Sequence, residues 1–582
     1  MPSPDATDST AAAPRRIVVV GGVAGGMSFA ARARRLDEHA HIIVLERGAH
    51  VSFANCGLPY AVSGEIEDEQ SLLVQTPQSL KAALALDVRT HHEVVAIDPE
   101  ARTVTARTLL GDHVLAYDEL VLAPGAAAVL PQVAGIDSPR VQTLRTVEDA
   151  LSLRDAAAIG TRAVVIGGGY IGVEAAEALR MRGLDVHLVQ SARHPLARLE
   201  RELASHVTAA LVEGGVHVHA GSRVTAIVDG PDGADVEISD GTRATADVIV
   251  VAAGARPDTA FVQDAGVDTA DGAIVVDGLG RTSAPHVWAT GDAVARQDPA
   301  TGVIRPVALA GPANRDGRLI ADAILGAATG VPARPQPAPL GTSIVRVFDL
   351  SAAMTGANRT ELEAAGIPFE TIHLHAGDHA GYFPGATPIH LVVHFAPADA
   401  TEPGRIYGAQ GVGAKGVDKR IDVLATAVRA GLAVTDLADI DLAYAPPFGS
   451  AKDPITMVGF VSQNVIDGVV RLWQAADLDT VRDEALILDV RRQDEWDAGH
   501  LQGALHIPHI ELRERLDEVR AHAAGRPVRV HCASGIRSYL AHRILDAAGF
   551  DSAHLSGGIQ TLLSYHGKDI LTHEVDQRSA AA

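Results

Sequence analysis

Two cysteines, Cys56 and Cys532, are the only thiols in 582 residues. Cys56 lies in Val51-Ser52-Phe53-Ala54-Asn55-Cys56-Gly57-Leu58-Pro59-Tyr60. No second cysteine is nearby, so no dithiol–disulfide pair forms there. Redox work at this thiol needs a sulfur or oxygen partner from outside. The thiolate is the nucleophile, and a helix N-terminus lowers a thiol pKa. A helix starting near Gly57 or Leu58 would do this; the alternative is a small buried apolar cysteine. Cys532 opens Cys532-Ala533-Ser534-Gly535-Ile536-Arg537-Ser538, between a strand predicted over 527–531 and a helix predicted over 539–548. A short strand-to-helix loop can curl its N–H groups around one atom. With Arg537 and the helix dipole, it would stabilise a thiolate or a terminal persulfide.

Chemistry at lone thiols needs an electron source, and two glycine-rich turns suggest one. Strand 16–20 enters Gly21-Gly22-Val23-Ala24-Gly25-Gly26, which matches G-x-G-x-x-G at Gly21 and Gly26 but has Val23 in the middle. Such turns bring backbone N–H groups and a helix N-terminus close to a pyrophosphate. Glu46 ends the next strand, about 20 positions on, where a carboxylate accepts hydrogen bonds from an adenosine ribose. The second turn, Gly167-Gly168-Gly169-Tyr170-Ile171-Gly172, matches at all three glycines. Its following strand ends in neutral Gln190 with Arg193 close behind, which leaves NADH against NADPH open. In Val287-Trp288-Ala289-Thr290-Gly291-Asp292 a strand runs into a carboxylate.

The elements that must position these groups alternate between helical patterns and short apolar runs, the α/β signature. Length implies about four domains. Acidic residues outnumber basic ones, 72 to 49, for a net charge of −23. That excludes a basic nucleic-acid surface and a polybasic membrane patch. No apolar run spans a bilayer. Residues 1–14 lack signal-peptide features, and two cysteines suit a reducing compartment. The expectation is a cytoplasmic protein with no nucleic-acid or membrane partner. Expected boundaries are a disordered tail at 1–15, a first nucleotide domain at 16–155 and 261–330, and a second at 156–260. A proline-rich stretch at 331–339 precedes an α+β domain at 338–460. A linker at 461–478, an α/β domain at 479–575 and a tail at 576–582 complete the chain.

The ordered set of both glycine turns, Tyr117-Asp118-Glu119-Leu120-Val121-Leu122-Ala123-Pro124-Gly125, Ala252-Ala253-Gly254-Ala255-Arg256-Pro257 and Thr290-Gly291-Asp292 resembles the two-dinucleotide flavoprotein disulfide reductases. The Cys56 stretch resembles their single-cysteine branch of coenzyme A disulfide reductases, NADH oxidases and peroxidases, and persulfide reductases. The resemblance implies two Rossmann-like domains, for FAD and NAD(P)H, and a homodimer built on an α+β dimerisation domain. Gly21, Gly22, Gly26, Glu46, Arg47, Ala123, Gly125, Asp292 and Ala310 would serve FAD. Gly167, Gly169, Gly172, Gln190 and Gly254 would serve the nicotinamide cofactor. Ser28, Arg32, Arg35, Ser52, Asn55, Asn314 and Lys452 would meet coenzyme A, although Arg32 and Arg35 also read as a solvated helix face. Cys56 would lie against the flavin, Tyr444 and Lys452 would reach the partner subunit's active site, and Tyr382 and Tyr444 would be catalytic. Residues 479–573 resemble a rhodanese domain, with Cys532 as sulfur acceptor. There Asp489, Glu495, His500 and His506 read as structural, and no metal site is expected. The implied activity is reduction of a persulfide, polysulfide or coenzyme A disulfide by NAD(P)H. The alternatives are an NADH oxidase or peroxidase working through a Cys56 sulfenic acid, and a sulfur-responsive redox sensor or carrier.

Overall fold

Ile17 to Val20 are apolar and mostly β-branched, which suits a strand buried on both faces. In the computed structural model, which describes residues 14–572, the strand Arg16–Val20 is the centre of a five-stranded parallel sheet. Its order is Val287–Ala289, Glu119–Leu122, Arg16–Val20, His41–Leu45, Asp87–Arg89. Helices Ala24–Leu36 and Ala310–Leu325 cover one face through Phe29 and Ile320. The other face packs Val18 and Leu120 against Ile97 and Val104 of a small antiparallel sheet, Glu93–Asp98, Thr103–Thr108 and Gly111–Ala116.

The second unit repeats this plan. Its parallel sheet runs Val216–Ala220, Asp185–Gln190, Arg162–Ile166, Val248–Val251, Val141–Gln142. The last strand and the helix Val147–Ile159 that follows it belong to this unit's core. The expected boundary at 155/156 therefore cuts through a helix. The helix start was written locally, because Thr146 and Asp149 form a reciprocal capping box. The antiparallel pair Ala255–Pro257 and Ala126–Ala128 joins the two units.

The proline-rich stretch carries no regular element. Beyond it five antiparallel strands lie in the order Ser343–Val347, Leu350–Gly356, Ile406–Gly413, Pro388–Phe395, Glu370–Gly377. Helices Val417–Ala430 and Pro454–Ile466 pack on them. The expected linker at 461–478 is not one. The second helix runs on to Ile466, and Leu472–Trp473 is already the edge strand of the final sheet. Apolar Val461, Val465 and Ile466 pack into the third core, so the helix has no reason to stop at 460. The final parallel sheet runs Leu472–Trp473, Ser552–Leu555, Val528–His531, Leu486–Asp489, Leu505–His506. The expected tails fall outside the described residues, apart from Pro14 and Arg15. Among the described residues, no helix is long and apolar enough to cross a membrane.

The final domain docks onto the second and third through a polar seam. The His373 backbone N–H donates to Ser556 Oγ at 3.0 Å, and its imidazole Nε2 lies 2.6 Å from Glu202 Oε1. His375 Nε2 lies 2.8 Å from Thr561 Oγ1, and the Arg201 guanidinium sits 4.6 Å above the Tyr565 ring. Burial disfavours the Glu202 carboxylate, but bonding and charge attraction to His373 outweigh it and hold its pKa at about 2. Removing one partner of such a buried pair strands the other charge. His373→Ala is therefore expected to destabilise the chain by about 3–5 kcal/mol. Adding Glu202→Gln should recover part of that loss, and urea-unfolding midpoints of both variants check it.

Candidate active sites

Gly21 has a left-handed backbone, φ 99°, and a Cβ there would lie 2.0 Å from the Ala123 carbonyl oxygen. Only glycine meets both demands. Val23, in the place of the expected middle glycine, precedes the helix Ala24–Leu36. Glu46 accepts the Gly22 N–H at 2.7 Å and the Gly48 N–H at 2.8 Å. In the second unit Gln190 Oε1 accepts the Gly168 N–H at 3.1 Å. The two strand ends thus brace their turns in the same way, with a carboxylate in one and an amide in the other. A side chain at Gly172 would strike the Gly167 carbonyl oxygen at 1.8 Å, while the space beside Gly169 is open. That is the arrangement of a helix tight against its strand with a free approach for a phosphate.

Thr290 is fully buried, and its Oγ1 has no hydrogen-bond partner among the described residues. It lies against Gly25 of the first turn. Asp292 follows at the end of the strand, with burial raising its carboxyl pKa against the opposing charge of Arg145. A buried hydroxyl without a partner and a costly carboxyl beside a glycine cradle fit a polar ligand lying across this sheet edge.

Cys56 sits in a single turn, Asn55–Gly57, before the helix Leu58–Ser63. It is a free, exposed cysteine. The expected helix is present, but the expected lowering of the thiol pKa is not found. Partial enclosure raises it first, and the charges of Glu174 and Asp292 raise it further. Six residues make a weak dipole, while burial and then the two carboxylate charges act against the thiolate. These carboxylates show where Cys56 lies. Asp292 lies in the turn Gly291–Ala293 of the first unit and Glu174 is on helix Tyr170–Met181 of the second, so carboxylates of both units act on the thiol.

Glu174 was not singled out in the sequence, where it is one more helical glutamate. Burial pushes its carboxyl up to about 7, against a 3.3 Å hydrogen bond from Tyr60 Oη. A carboxyl whose pKa is raised on folding contributes most below its unfolded value, and that stability is lost as pH rises through about 7. Glu174→Gln is expected to remove a rate inflection near pH 7. It should also raise stability at pH 8 by about 1–3 kcal/mol. Rates and melting temperatures of both proteins from pH 5 to 9 check this.

The other expected site residues divide by partner. Ser52 has a left-handed backbone, φ 47°, and its N–H donates to the Gly22 carbonyl. Asn55 is exposed beside the thiol. Ser28 Oγ donates to Asn314 Oδ1 at 2.5 Å, and Asn314 donates back to the Ala310 carbonyl within helix Ala310–Leu325. Arg32 is tied to buried Asp322 at 2.7 Å, whereas Arg35 is exposed with no ion-pair partner among the described residues. Arg47 pairs with Asp258. Gly125 and Gly254 are left-handed and open. Tyr382 and Tyr444 bond to each other at 3.0 Å and, with Phe383 and Phe448, are exposed on the third domain near exposed Lys452.

Cys532 is 1% exposed at the base of a second site. The Gly535 N–H points at its sulfur at 3.2 Å, and Ser538 Oγ lies 3.4 Å away. The helix begins at Ile536, not 539, because Gly535 turns left-handed at φ 106° and caps it. Its first turn therefore faces the sulfur. Arg537 is held by Glu495, with Nη2 to Oε1 at 2.7 Å. Glu495 thus fixes the arginine, while Asp489 holds Arg491 and His506 meets the Arg491 carbonyl. His500 stacks on Trp496 with ring centres 3.6 Å apart.

A reductase with two dinucleotide turns, one exposed thiol between them and a separate sulfur cradle is the class this architecture defines. The chain belongs to the pyridine nucleotide-disulphide oxidoreductases, whose family description matches residues 15–313. The dimerisation domain of that family matches residues 342–453, and a rhodanese-like domain matches 472–564. The chain is 32% identical to the coenzyme A disulfide reductase of Staphylococcus haemolyticus over 456 residues, 78% of this chain and 100% of that one. Among solved structures, reduced Bacillus anthracis CoADR-RHD is 40% identical, with 95% of this chain and 98% of that chain covered and a TM-score of 0.90. An NAD-dependent persulfide reductase from A. fulgidus is 36% identical, with 94% and 99% covered and a TM-score of 0.85.

Proposed function

We propose that this chain is an FAD-dependent NAD(P)H:persulfide and coenzyme A disulfide reductase with its own sulfur-accepting rhodanese domain. One observation carries the reading: the chain's only two thiols stand in separate, differently built nucleophile sites. Cys56 has no dithiol partner, so its partner sulfur must come from the substrate. A sulfur carrier in the same chain indicates what kind of sulfur that is.

Cys532 takes sulfane sulfur as a persulfide, its charge held by the Gly535 N–H and the helix behind it. A thiol such as coenzyme A accepts that sulfur and becomes a persulfide. The Cys56 thiolate attacks it, forms a mixed disulfide and expels hydrosulfide. When bound, FAD and NAD(P)H supply the electron pair that reopens the disulfide to two thiols. The sum is persulfide, NAD(P)H and a proton giving thiol, hydrogen sulfide and NAD(P)+. Glu174, titrating near neutrality, and Tyr60 can hold and return the proton beside Cys56. The turn at Gly21, Gly22 and Gly26, with Glu46, Thr290 and Asp292, would hold FAD. Gly167, Gly169, Gly172 and Gln190 would hold the nicotinamide cofactor. Ser28, Arg35, Ser52, Asn55, Asn314 and Lys452 would meet coenzyme A, with Arg32 held back by Asp322. The exposed Tyr382 and Tyr444 would complete the site across a homodimer. The acidic balance and two lone thiols support a reducing cytoplasm without nucleic-acid or membrane partners.

NADH and NADPH consumption with coenzyme A persulfide, coenzyme A disulfide, oxygen and peroxide tests the reading. Fast turnover and sulfide release with the persulfide are expected. Full turnover on oxygen alone would overturn it in favour of an oxidase, and no turnover by the isolated protein would point to a sensor.

A further inference from the structure

The edge of the second unit's sheet gathers three histidines and two aspartates that the reductase chemistry does not use. Strands Asp185–Gln190 and Val216–Ala220 are parallel and pair His187 with His217. Side chains alternate along a strand, so Asp185 and His187 share a face with His217 and His219. The His187 ring stacks on His217 at 4.6 Å and on His219 at 5.2 Å. One ligand atom each from Asp185, His187 and His217 lies within 4.8 Å of the others. His217 Nε2 is 3.0 Å from Asp185 Oδ1, and His187 Nδ1 is 2.9 Å from His219 Nε2. Donors about 2.1 Å from one ion, at 90–109° to each other, stand about 2.9–3.4 Å apart. The second carboxylate has a different place. Asp240, in the turn before Arg243–Ala246, takes the Nδ1 proton of His219 at 2.8 Å. With His219 Nε2 against His187 Nδ1, Asp240 and His219 form a hydrogen-bonded chain behind His187, the carboxylate–histidine support usual behind a metal ligand.

We propose that Asp185, His187 and His217 form a site for a divalent transition ion such as Zn2+, with His219 as the support behind His187. Imidazole with one carboxylate selects such ions over Mg2+ and Ca2+. The expectation that the chain has no metal site followed from the sequence, where Asp-Val-His and His-Val-His lie some thirty positions apart and only the parallel register unites them. The ion would tie the edge strand Val216–Ala220 to the strand whose last residue, Gln190, braces the second glycine turn. It would thereby stiffen the sheet edge under the nicotinamide cofactor's adenosine end.

The test uses tag-free, full-length, FAD-loaded protein, stripped with a chelator and dialysed against Zn2+. Cys56→Ser/Cys532→Ser protein runs in parallel so that thiols do not account for bound metal. One zinc per chain is expected in both, with a higher melting temperature. His217→Ala removes a ligand whose side chain is 58% exposed, so the core is untouched. It should weaken zinc binding at least about tenfold. Asp185→Asn, nearly isosteric, should weaken it in the same direction and keeps the test intact if the first variant misfolds. No retained zinc, or zinc held equally by wild type and both variants, would overturn the proposal.

Discussion

Cys56→Ser lowers sulfide release from coenzyme A persulfide by about a thousandfold or more, while the protein still binds FAD. The serine hydroxyl matches the thiol in shape but cannot form the mixed disulfide on which the reaction depends. The flavin-side residues are separate from it: Glu46 braces the first turn from beside its own strand, and Thr290 and Asp292 lie in the turn that follows the strand Val287–Ala289. Flavin content should therefore stay near wild type, which distinguishes lost chemistry from lost folding. The measurement is sulfide release under saturating NADH, with bound flavin quantified by absorbance. Unchanged sulfide release would remove Cys56 from the mechanism.

The second large effect separates the two thiols. Cys532→Ser should abolish sulfur transfer from thiosulfate or polysulfide, again by about a thousandfold or more. Reduction of coenzyme A disulfide should remain within about twofold of wild type, because that reaction bypasses the cradle. The sulfur is buried among Leu488, Val490, Val530 and Leu545 and is approached by one backbone N–H. Serine fits that volume, so the domain should keep its docking contacts at Ser556 and Thr561. Sulfurtransferase and disulfide reductase assays on the same preparation read both outcomes. Parallel loss of both activities would mean that the domains work as one site.

The strand–turn–helix settings of both glycine turns and of Cys532, and the helix after Cys56, were legible in the sequence because their logic is local. A strand, a glycine turn and a helix carry their own spacing, and Glu46 and Gln190 fall at the strand ends that the spacing implies. What was not legible depends on contacts between distant segments. The raised pKa of Cys56 comes first from partial burial and then from the charges of Glu174 and Asp292, each on a different unit. The Glu202–His373 pair joins a helix of the second domain to a strand of the third, so neither residue marks itself in the chain. Boundaries failed for a related reason. Residues 141–159 and 461–466 are ordinary short patterns until the core that receives them is known.

The central claim is contact between a lone sulfur and the flavin ring. A crystal structure of the FAD-loaded protein measures it directly. The account predicts the Cys56 sulfur in van der Waals contact with the ring, about 3.5–4 Å away. A bound flavin with its ring well beyond contact distance from that sulfur would contradict it.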